Sequence, residues 1–309
     1  VDAVVGLLDG VRARGAFVLR MSMDSPWSLS VRDRAPLTVI CQTRGESVLI
    51  GEASGITRLH AGDVALTRGT QHYVFADDPA TAPMAVIHPG QRCTTPSGRE
   101  LRFEMTVGVR TWGNSPAGAC RAVIGAYEGR SAVSARLLDA LPAVAVVRAH
   151  EWDTPLVDLL AAEAGRGGTG HEAYLDRLLD LLLIAVLRTW FDRDSAAPAW
   201  WHAERDPVVG PALRLLYGDP ARAWTVANLA TAVGCSRAAL ARRFTEQVGE
   251  PPIAFLTGWR LALAADLLRS GDATLAAVAR QVGYSTPFAL SGAFKRAYGV
   301  SPKAYRASA

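Results

Sequence analysis

The chain is 309 residues long, half of them hydrophobic, with 33 Lys and Arg against 29 Asp and Glu and four cysteines. That length suits two domains of ordinary size; the composition excludes a disordered chain and a disulfide scaffold, and no run of about 18 apolar residues offers a helical membrane span. Charge is uneven: from Pro207 onward 12 basic residues face 5 acidic ones, a net of +7, whereas before it 21 face 24, a net of −3. A basic excess confined to one half is what contact with phosphates requires.

The opening stretch, VDAVVGLLDG, lacks the basic segment, long apolar core and small-residue cleavage site of a signal peptide, so the expected location is the cytoplasm. Val4, Val5, Leu7, Leu8 and Val11 fall at the spacing of a short amphipathic helix over residues 1–15. From Ala16 to about Tyr127 nine short β-rich runs alternate with Gly, Asp and Pro: AFVLRM, LTVICQT, SVLIG, ITRLH, DVALT, HYVFA, MAVIH, LRFEMTVGV and CRAVIGAY. Many short strands at this spacing predict a β-barrel or sandwich.

Within this region Gly62 to His72, GDVALTRGTQH, resembles the second motif of the cupin barrel, without the proline usual before its turn glycine. A metal-dependent cupin would also present H-x-H and a glutamate upstream, because such a cation needs three or four convergent ligands. The stretch from Val39 to His60 supplies none of these. His72 is therefore read as a core or ligand-lining residue, and His60 and His88, at strand ends, as weaker candidates for the same role; neither a metal nor a cofactor is expected. Pro89 to Gly118 reads as two loops, candidates for mobility, around one β-like run. Cys93 lies in the first loop and Cys120 just after the second, which poses a redox pair against two unconnected thiols.

After Ala132 the periodicity turns helical: ARLLDALPAV, TPLVDLLAAEAG, a GRGGTG break, then HEAYLDRLLDLLLIAVLRTWF. In the last run Leu175, Leu178, Leu179, Leu182 and Val186 make a broad apolar face that Leu181, Leu183, Ile184 and Leu187 widen almost all round. Such a helix must be covered, either within its own domain or by a second copy in a homodimer. Asp192 to Pro207 has linker composition, though Trp200 and Trp201 are expected to dock on a domain. Val208 to Tyr217 gives one more helix.

The last part of the chain writes one pattern twice. Aligned on Gly234 and Gly283, Val226, Leu229, Ala230 and Val233 match Leu275, Val278, Ala279 and Val282 at an offset of 49. Thr225 and Thr274 stand where N-caps belong. After each glycine a polar cap, Ser236 or Thr286, opens a second helix with Leu240, Phe244 and Val248, or Leu290, Phe294 and Tyr298, on one face. Two short helices joined by a Gly-containing turn predict a helix-turn-helix, and matched copies are harder to explain as bundle packing than one would be.

These residues, above all VGYSTPFALSGAFKRAYGVSPKAYR, resemble the AraC/XylS transcriptional regulators, and the upstream strands with DRLLDLLLIAVLRTW resemble the cupin-type regulatory domain of one branch of that family. The resemblance implies an α+β chain of two domains: a cupin-like sensory β-barrel over 1–130 with a helical packing or dimerisation region over 131–192, a linker over 193–207, and an all-α DNA-binding domain with two helix-turn-helix units over 208–309. It also implies one long helix from Pro252 to Ser270 joining the units, on which Leu256, Trp259, Leu263 and Leu267 form a seam. Double-stranded DNA, RNA polymerase, a small-molecule effector and a second copy are the partners implied.

Family base-contact positions correspond to Ala238, Ala241 and Arg242, with Thr245 on the same outward face, and Arg242 alone can make a bidentate contact to guanine. Arg237 and Arg243 beside it suit phosphates. In the second copy Thr286, Pro287, Phe288, Ser291, Gly292, Lys295 and Arg296 lie outside or at the border. Long polar residues are commoner in the family where Pro287, Phe288 and Gly292 stand, so this helix is read as positioning more than reading. The leading function is a sequence-specific DNA-binding regulator, not an enzyme, whose barrel answers to a small molecule or stress. The alternatives are a thiol-based sensor using Cys93 and Cys120, or a metal-dependent cupin enzyme fused to a DNA-binding domain.

Overall fold

The computed structural model describes residues 16–127 apart from 53, 70, 71 and 102, residues 138–193, and residues 197–307 apart from 272. The helix expected over 1–15 and the first three residues of the run ARLLDALPAV, 135–137, lie outside the described residues. Two compact units result, one built from the described residues of 16–127 and 141–193, the other centred on 197–307.

The first unit holds β1 (Phe17–Met23), β2 (Ser28–Val31), β3 (Leu37–Arg44), β4 (Glu46–Gly51), β5 (Gly55–His60), β6 (Val64–Arg68), β7 (Tyr73–Ala76), β8 (Ala85–His88), β9 (Arg92–Thr94), β10 (Thr106–Gly108), β11 (Thr111–Gly113), β12 (Cys120–Tyr127) and β13 (Val144–Val147). They form a seven-stranded sheet in the order β10-β11-β1-β12-β3-β6-β13 and a six-stranded sheet in the order β5-β4-β7-β2-β8-β9. Alternation along each strand sends one set of side chains into the space between the sheets. Met21, Ile40 and Ala122 from the first sheet there share a core with Leu29, Leu49 and Phe75 from the second.

The other face of the seven-stranded sheet is buried too. Val18, Val39, Cys41 and Val123, which alternate with the inward residues, are at most 2 % exposed. Helices α1 (Leu156–Ala164) and α2 (His171–Phe191) cover that face. At Gly125 the approach is so close that a Cβ would fall 2.7 Å from a Leu179 methyl, and the Tyr127 hydroxyl donates to the Leu179 carbonyl at 3.4 Å. This packing absorbs most of the apolar surface of α2, since Leu175, Leu178, Leu179, Leu182, Leu183, Val186 and Leu187 are all buried. Tyr174 and Leu181 remain 52 % and 53 % exposed on its outer side.

Several expectations change at this level. Strand β13 lies in the stretch expected to be helical; its Val144–Val147 pair antiparallel with Val64–Thr67 of β6 and complete the sheet. The single run expected over Leu101 to Val109 is broken: residues 103–105 turn, which sends Leu101 and Met105 into the core, and only Thr106–Gly108 is strand. The GNSPAG segment is clamped rather than loose. Asp24 and Asn114 exchange bonds of 2.8 and 2.7 Å, and Gly118 donates to Ser22 Oγ at 3.0 Å. A Cβ at Gly113 would sit 1.8 Å from the Ser22 carbonyl oxygen.

The second unit comprises α3 (Ala199–Ala203), α4 (Val209–Gly218), α5 (Val226–Ala232), α6 (Arg237–Val248), α7 (Pro252–Ser270), α8 (Leu275–Gln281), α9 (Pro287–Tyr298) and α10 (Pro302–Ala307). Helix α3 falls inside the expected linker and packs against α6, with Trp201 buried. Helix α7 serves two cores. Its Phe255 and Leu256 pack with Leu229, Leu240 and Phe244, and its Leu261, Ala264, Ala265 and Leu268 pack with Val278, Leu290 and Phe294. The single seam expected on α7 therefore holds only in part: Leu263 and Leu267 are half-buried, and Phe255, Ala264 and Leu268 take the deeper places.

One buried charge ties the barrel together. Asp63, before β6, receives backbone N–H groups of His60 and Ala149 at 3.0 and 2.9 Å and the Arg148 guanidinium at 2.8 Å. Burial works to raise its carboxyl, but these donors outweigh burial and hold it below the usual 3.8. A depressed native pKa contributes stability above the unfolded value that disappears as the pH falls through the native one. Asp63→Asn is accordingly expected to cost about 1.5–3 kcal/mol near neutral pH. The difference from the parent should begin to shrink below about pH 4 and fade as the pH falls through the lower native value, as read by chemical denaturation at several pH values.

Candidate nucleic-acid interface and barrel cavity

Both helix-turn-helix units are built by local rules that repeat in register. Thr225 Oγ1 accepts from the Asn228 N–H at 3.1 Å, and Asn228 Oδ1 accepts from the Thr225 N–H at 2.8 Å, a reciprocal cap. Ser236, Thr274 and Thr286 cap α6, α8 and α9 through bonds of 3.2, 3.2 and 3.1 Å from the N–H three residues on. At the turns Gly234 and Gly283 adopt φ of 74° and 84°, and the next N–H, of Cys235 or Tyr284, bonds back to Ala230 or Ala279 at 3.0 or 2.8 Å. This is the Schellman closure, which favours glycine.

The copies differ in what surrounds those glycines. A Cβ at Gly234 would meet nothing within 4 Å, whereas one at Gly283 would lie 2.7 Å from Ala221 Cα and 2.9 Å from an Arg260 nitrogen. Arg260, on α7, donates to the Pro220 and Arg222 carbonyls at 2.7 and 2.8 Å. The loop before the first unit is thus fastened over the turn of the second.

The expected inward residues Leu240, Phe244 and Val248, and Leu290 and Phe294, are buried, and Tyr298 is half-buried with its ring stacked 4.5 Å from Phe294. On the outward face of α6 Arg237, Ala238, Arg242 and Thr245 are exposed and Ala241 is half-buried. Arg242 Nη1 reaches Glu246 at 3.1 Å, with its side chain 72 % exposed. Thr245 donates its hydroxyl to the Ala241 carbonyl at 2.8 Å. Arg243 is turned elsewhere: its Nε donates to Asp206 at 2.8 Å, while Asp206 also receives the Val208 and Val209 N–H groups at 2.9 Å each. Burial of Asp206 would raise its pKa, but these bonds keep it lowered. Arg243 therefore fastens α6 to the start of α4 instead of flanking Arg242.

On α9 Thr286, Phe288, Gly292, Lys295 and Arg296 are exposed, and Pro287 and Ser291 are half-buried. Phe288 is 87 % exposed, an uncovered aromatic ring at the start of a helix. A Cβ at Gly292 would meet only the Arg296 guanidinium, at an ordinary 3.6 Å, so packing within the chain does not require glycine there.

The barrel holds a cavity of about 710 Å³ between its sheets, lined among others by Met21, Ile40, Phe75 and Trp112. None of the three candidate histidines lines it. His60 pairs with Glu46 at 3.2 Å on the surface, His88 Nε2 lies 3.0 Å from Thr94 Oγ1, and exposed His72 borders a separate, much smaller recess. Cys93 does line the cavity, but Cys120 is buried in the other sheet, and no disulfide joins them. Burial raises the Cys120 thiol pKa against a 3.2 Å bond donated by Gln42, the opposite of an activated thiol. Among the described residues no group of three or more His, Cys, Asp or Glu is placed to hold a metal ion, and no helix is long and apolar enough to cross a membrane.

Comparison with known proteins agrees with this division. The sequence profile of a cupin family matches residues 2–192, and that of a helix-turn-helix domain matches residues 229–308. The chain belongs to the cupin family. With the helix-turn-helix domain behind it, this cupin chain has the make-up of the AraC/XylS regulators whose motifs it carries. It is 42 % identical over 178 residues to a protein of Streptomyces lividans named as an AraC-like transcription regulator, covering 55 % of this chain and 58 % of that one. Over 176 residues it is 33 % identical to the HTH-type transcriptional regulator AlkR of Acinetobacter baylyi, with the same coverage of 55 % and 58 %. The match thus spans under two-thirds of either relative. Among solved structures, the DNA-binding domain of AdpA in complex with a target DNA aligns at 34 % identity over 33 % of this chain and 92 % of that one, with a TM-score of 0.32.

Three features of this cupin chain had no local signal. The Arg243–Asp206 bond joins residues 37 apart, the contact over Gly283 comes from a loop that precedes the first unit, and the cavity draws part of its lining from the segment read as loops. The glycine contrast gives a direct test. Gly234→Ala is expected to cost about 1–2 kcal/mol for a left-handed alanine, and Gly283→Ala about 1–3 kcal/mol more for the added crowding, measured as thermal or urea unfolding of the whole chain.

Proposed function

We propose that the chain is a sequence-specific regulator of transcription, in which the C-terminal unit binds double-stranded DNA through α6 and α9 and the barrel answers to a small molecule. The duplicated helix-turn-helix on one connecting helix carries this reading. Helix α7 has 19 residues. At ~1.5 Å each it is about 28 Å long, close to the ~34 Å between successive major grooves on one face of DNA. The names of the relatives support the same reading, and support a non-enzyme.

The division of labour follows: sensing over 1–130, packing or pairing over 131–192, a linker over 193–207 that ends in the docked helix α3, and DNA binding over 208–309. A homodimer would use the stripe left on α2 by Tyr174 and Leu181. RNA polymerase is the partner that a regulator bound at a promoter would engage.

On DNA, Arg242 would exchange its exposed pair with Glu246, worth about 0.3–0.5 kcal/mol, for a bidentate contact to guanine. Arg237, Lys295 and Arg296 would meet phosphates, and Phe288 a thymine methyl. Gly292 would let the backbone of α9 come close to the duplex.

Arg242→Ala is expected to relax base preference in one half-site by about 1–3 kcal/mol. Lys295→Ala should weaken binding to every sequence and flatten the salt dependence by a slope of about 0.9; equal, non-selective losses in both variants would remove Arg242 as a reader. Gly292→Ala should raise stability by about 0.5–1 kcal/mol, since alanine suits an exposed helix interior better than glycine. The same variant should bind DNA more weakly in a gel-shift titration, and unchanged affinity would show that no close approach occurs there.

A further inference from the structure

We infer that the barrel cavity takes a neutral, mainly apolar molecule that enters hydrocarbon end first and leaves a polar group at the mouth; this rests on the reading of the barrel as the sensing part. The strand registers arrange the lining in levels. Met21 stands opposite Trp112, and Leu29 opposite Phe75, and all four are at most 6 % exposed. The next level is Leu19, Ile40 and Ile124, aligned across β1, β12 and β3. Apart from the Trp112 indole nitrogen and the hydroxyl of Thr106, which pairs with Trp112, these two levels offer no hydroxyl, amide or charge.

Polar groups gather at the other end. Thr38 pairs with Ala126, Tyr73 with Val31, and Cys93 with Ile87 in the outermost level, where Asp33, Arg92 and Glu100 also line the opening. The charges there are already matched. Arg92 bonds Glu100 at 2.6 Å, and Arg110 bonds Glu172 at 2.8 Å. An anionic ligand would have to displace a carboxylate from one of these guanidinium groups and would also face Asp33. A sugar would place its hydroxyls against hydrocarbon, where each unpaired group carries a desolvation cost.

Size is consistent with such a ligand. The 710 Å³ volume lies inside the range of small-molecule sites. It equals the share of roughly two dozen liquid waters, which an apolar molecule would release from the hydrocarbon levels.

The test uses the whole chain and the neutral fluorescent probe N-phenyl-1-naphthylamine at neutral pH. One equivalent should bind with blue-shifted emission, and 1-decanol should displace it at least about tenfold better than decanoate, with glucose inert. Ile124→Trp and Leu19→Trp, which fill the same space from neighbouring strands, should each weaken the probe by at least about tenfold while far-ultraviolet circular dichroism stays that of the parent. Displacement by decanoate or glucose in preference to decanol would overturn the neutral apolar class and leave the sensing role standing. Uptake of decanol that leaves DNA affinity unchanged would uphold the cavity chemistry and overturn the sensing role. No uptake of the probe, or equal uptake by the parent and both filled variants, would overturn the inference.

Discussion

The second unit depends on one helix being used as a wall twice. Phe255 and Leu256 of α7 close the core beneath the first helix-turn-helix, and Leu261, Ala264, Ala265 and Leu268 close the core beneath the second. A rigid rod between two cores holds their outward helices at one separation. Arg260 strengthens the arrangement, because its guanidinium holds the Pro220 and Arg222 carbonyls over Gly283. The geometry on which the proposed two-site recognition relies is therefore a property of packing behind the outward helices.

The two copies share construction and differ in surface. Caps, turn closures and inward residues recur at the same offset because they answer the same local problem of ending one helix and starting another. Outward positions have no such duty. One copy presents an arginine held beside a glutamate, the other an uncovered phenylalanine and a glycine that no neighbour requires. Repetition thus identifies the scaffold, and departure from repetition identifies the surface set aside for a partner.

Much of this was legible in the sequence because it is local. The caps Thr225, Ser236, Thr274 and Thr286 act within three residues, and α2 and α7 run over the residues that their apolar spacing and the family resemblance gave them. Strands β9 and β11 have three residues each, too few to show a period, and β2 reads SLSV, with serines at alternate positions. Strand β13 owes its existence to β6, a partner far away in the chain. The histidines were attractive because histidine is chemically versatile, but the cavity is lined by residues whose inward direction depends on strand register, which composition does not fix. The single seam on α7 failed for a related reason: a helix between two cores buries different sides along its length.

The clamped segment between β8 and β12 has a consequence for how such a chain can change. Strands β1, β3 and β12 are pinned by helices on their outer face, so substitutions there disturb two layers at once. The segment that carries Arg92, Cys93, Glu100, Arg110 and Trp112 reaches the cavity from one side and is tied to α2 through the Arg110–Glu172 pair. Under the proposed sensing role, substitutions in this short stretch would change ligand preference while leaving the barrel layers and the helices proposed to face DNA in place.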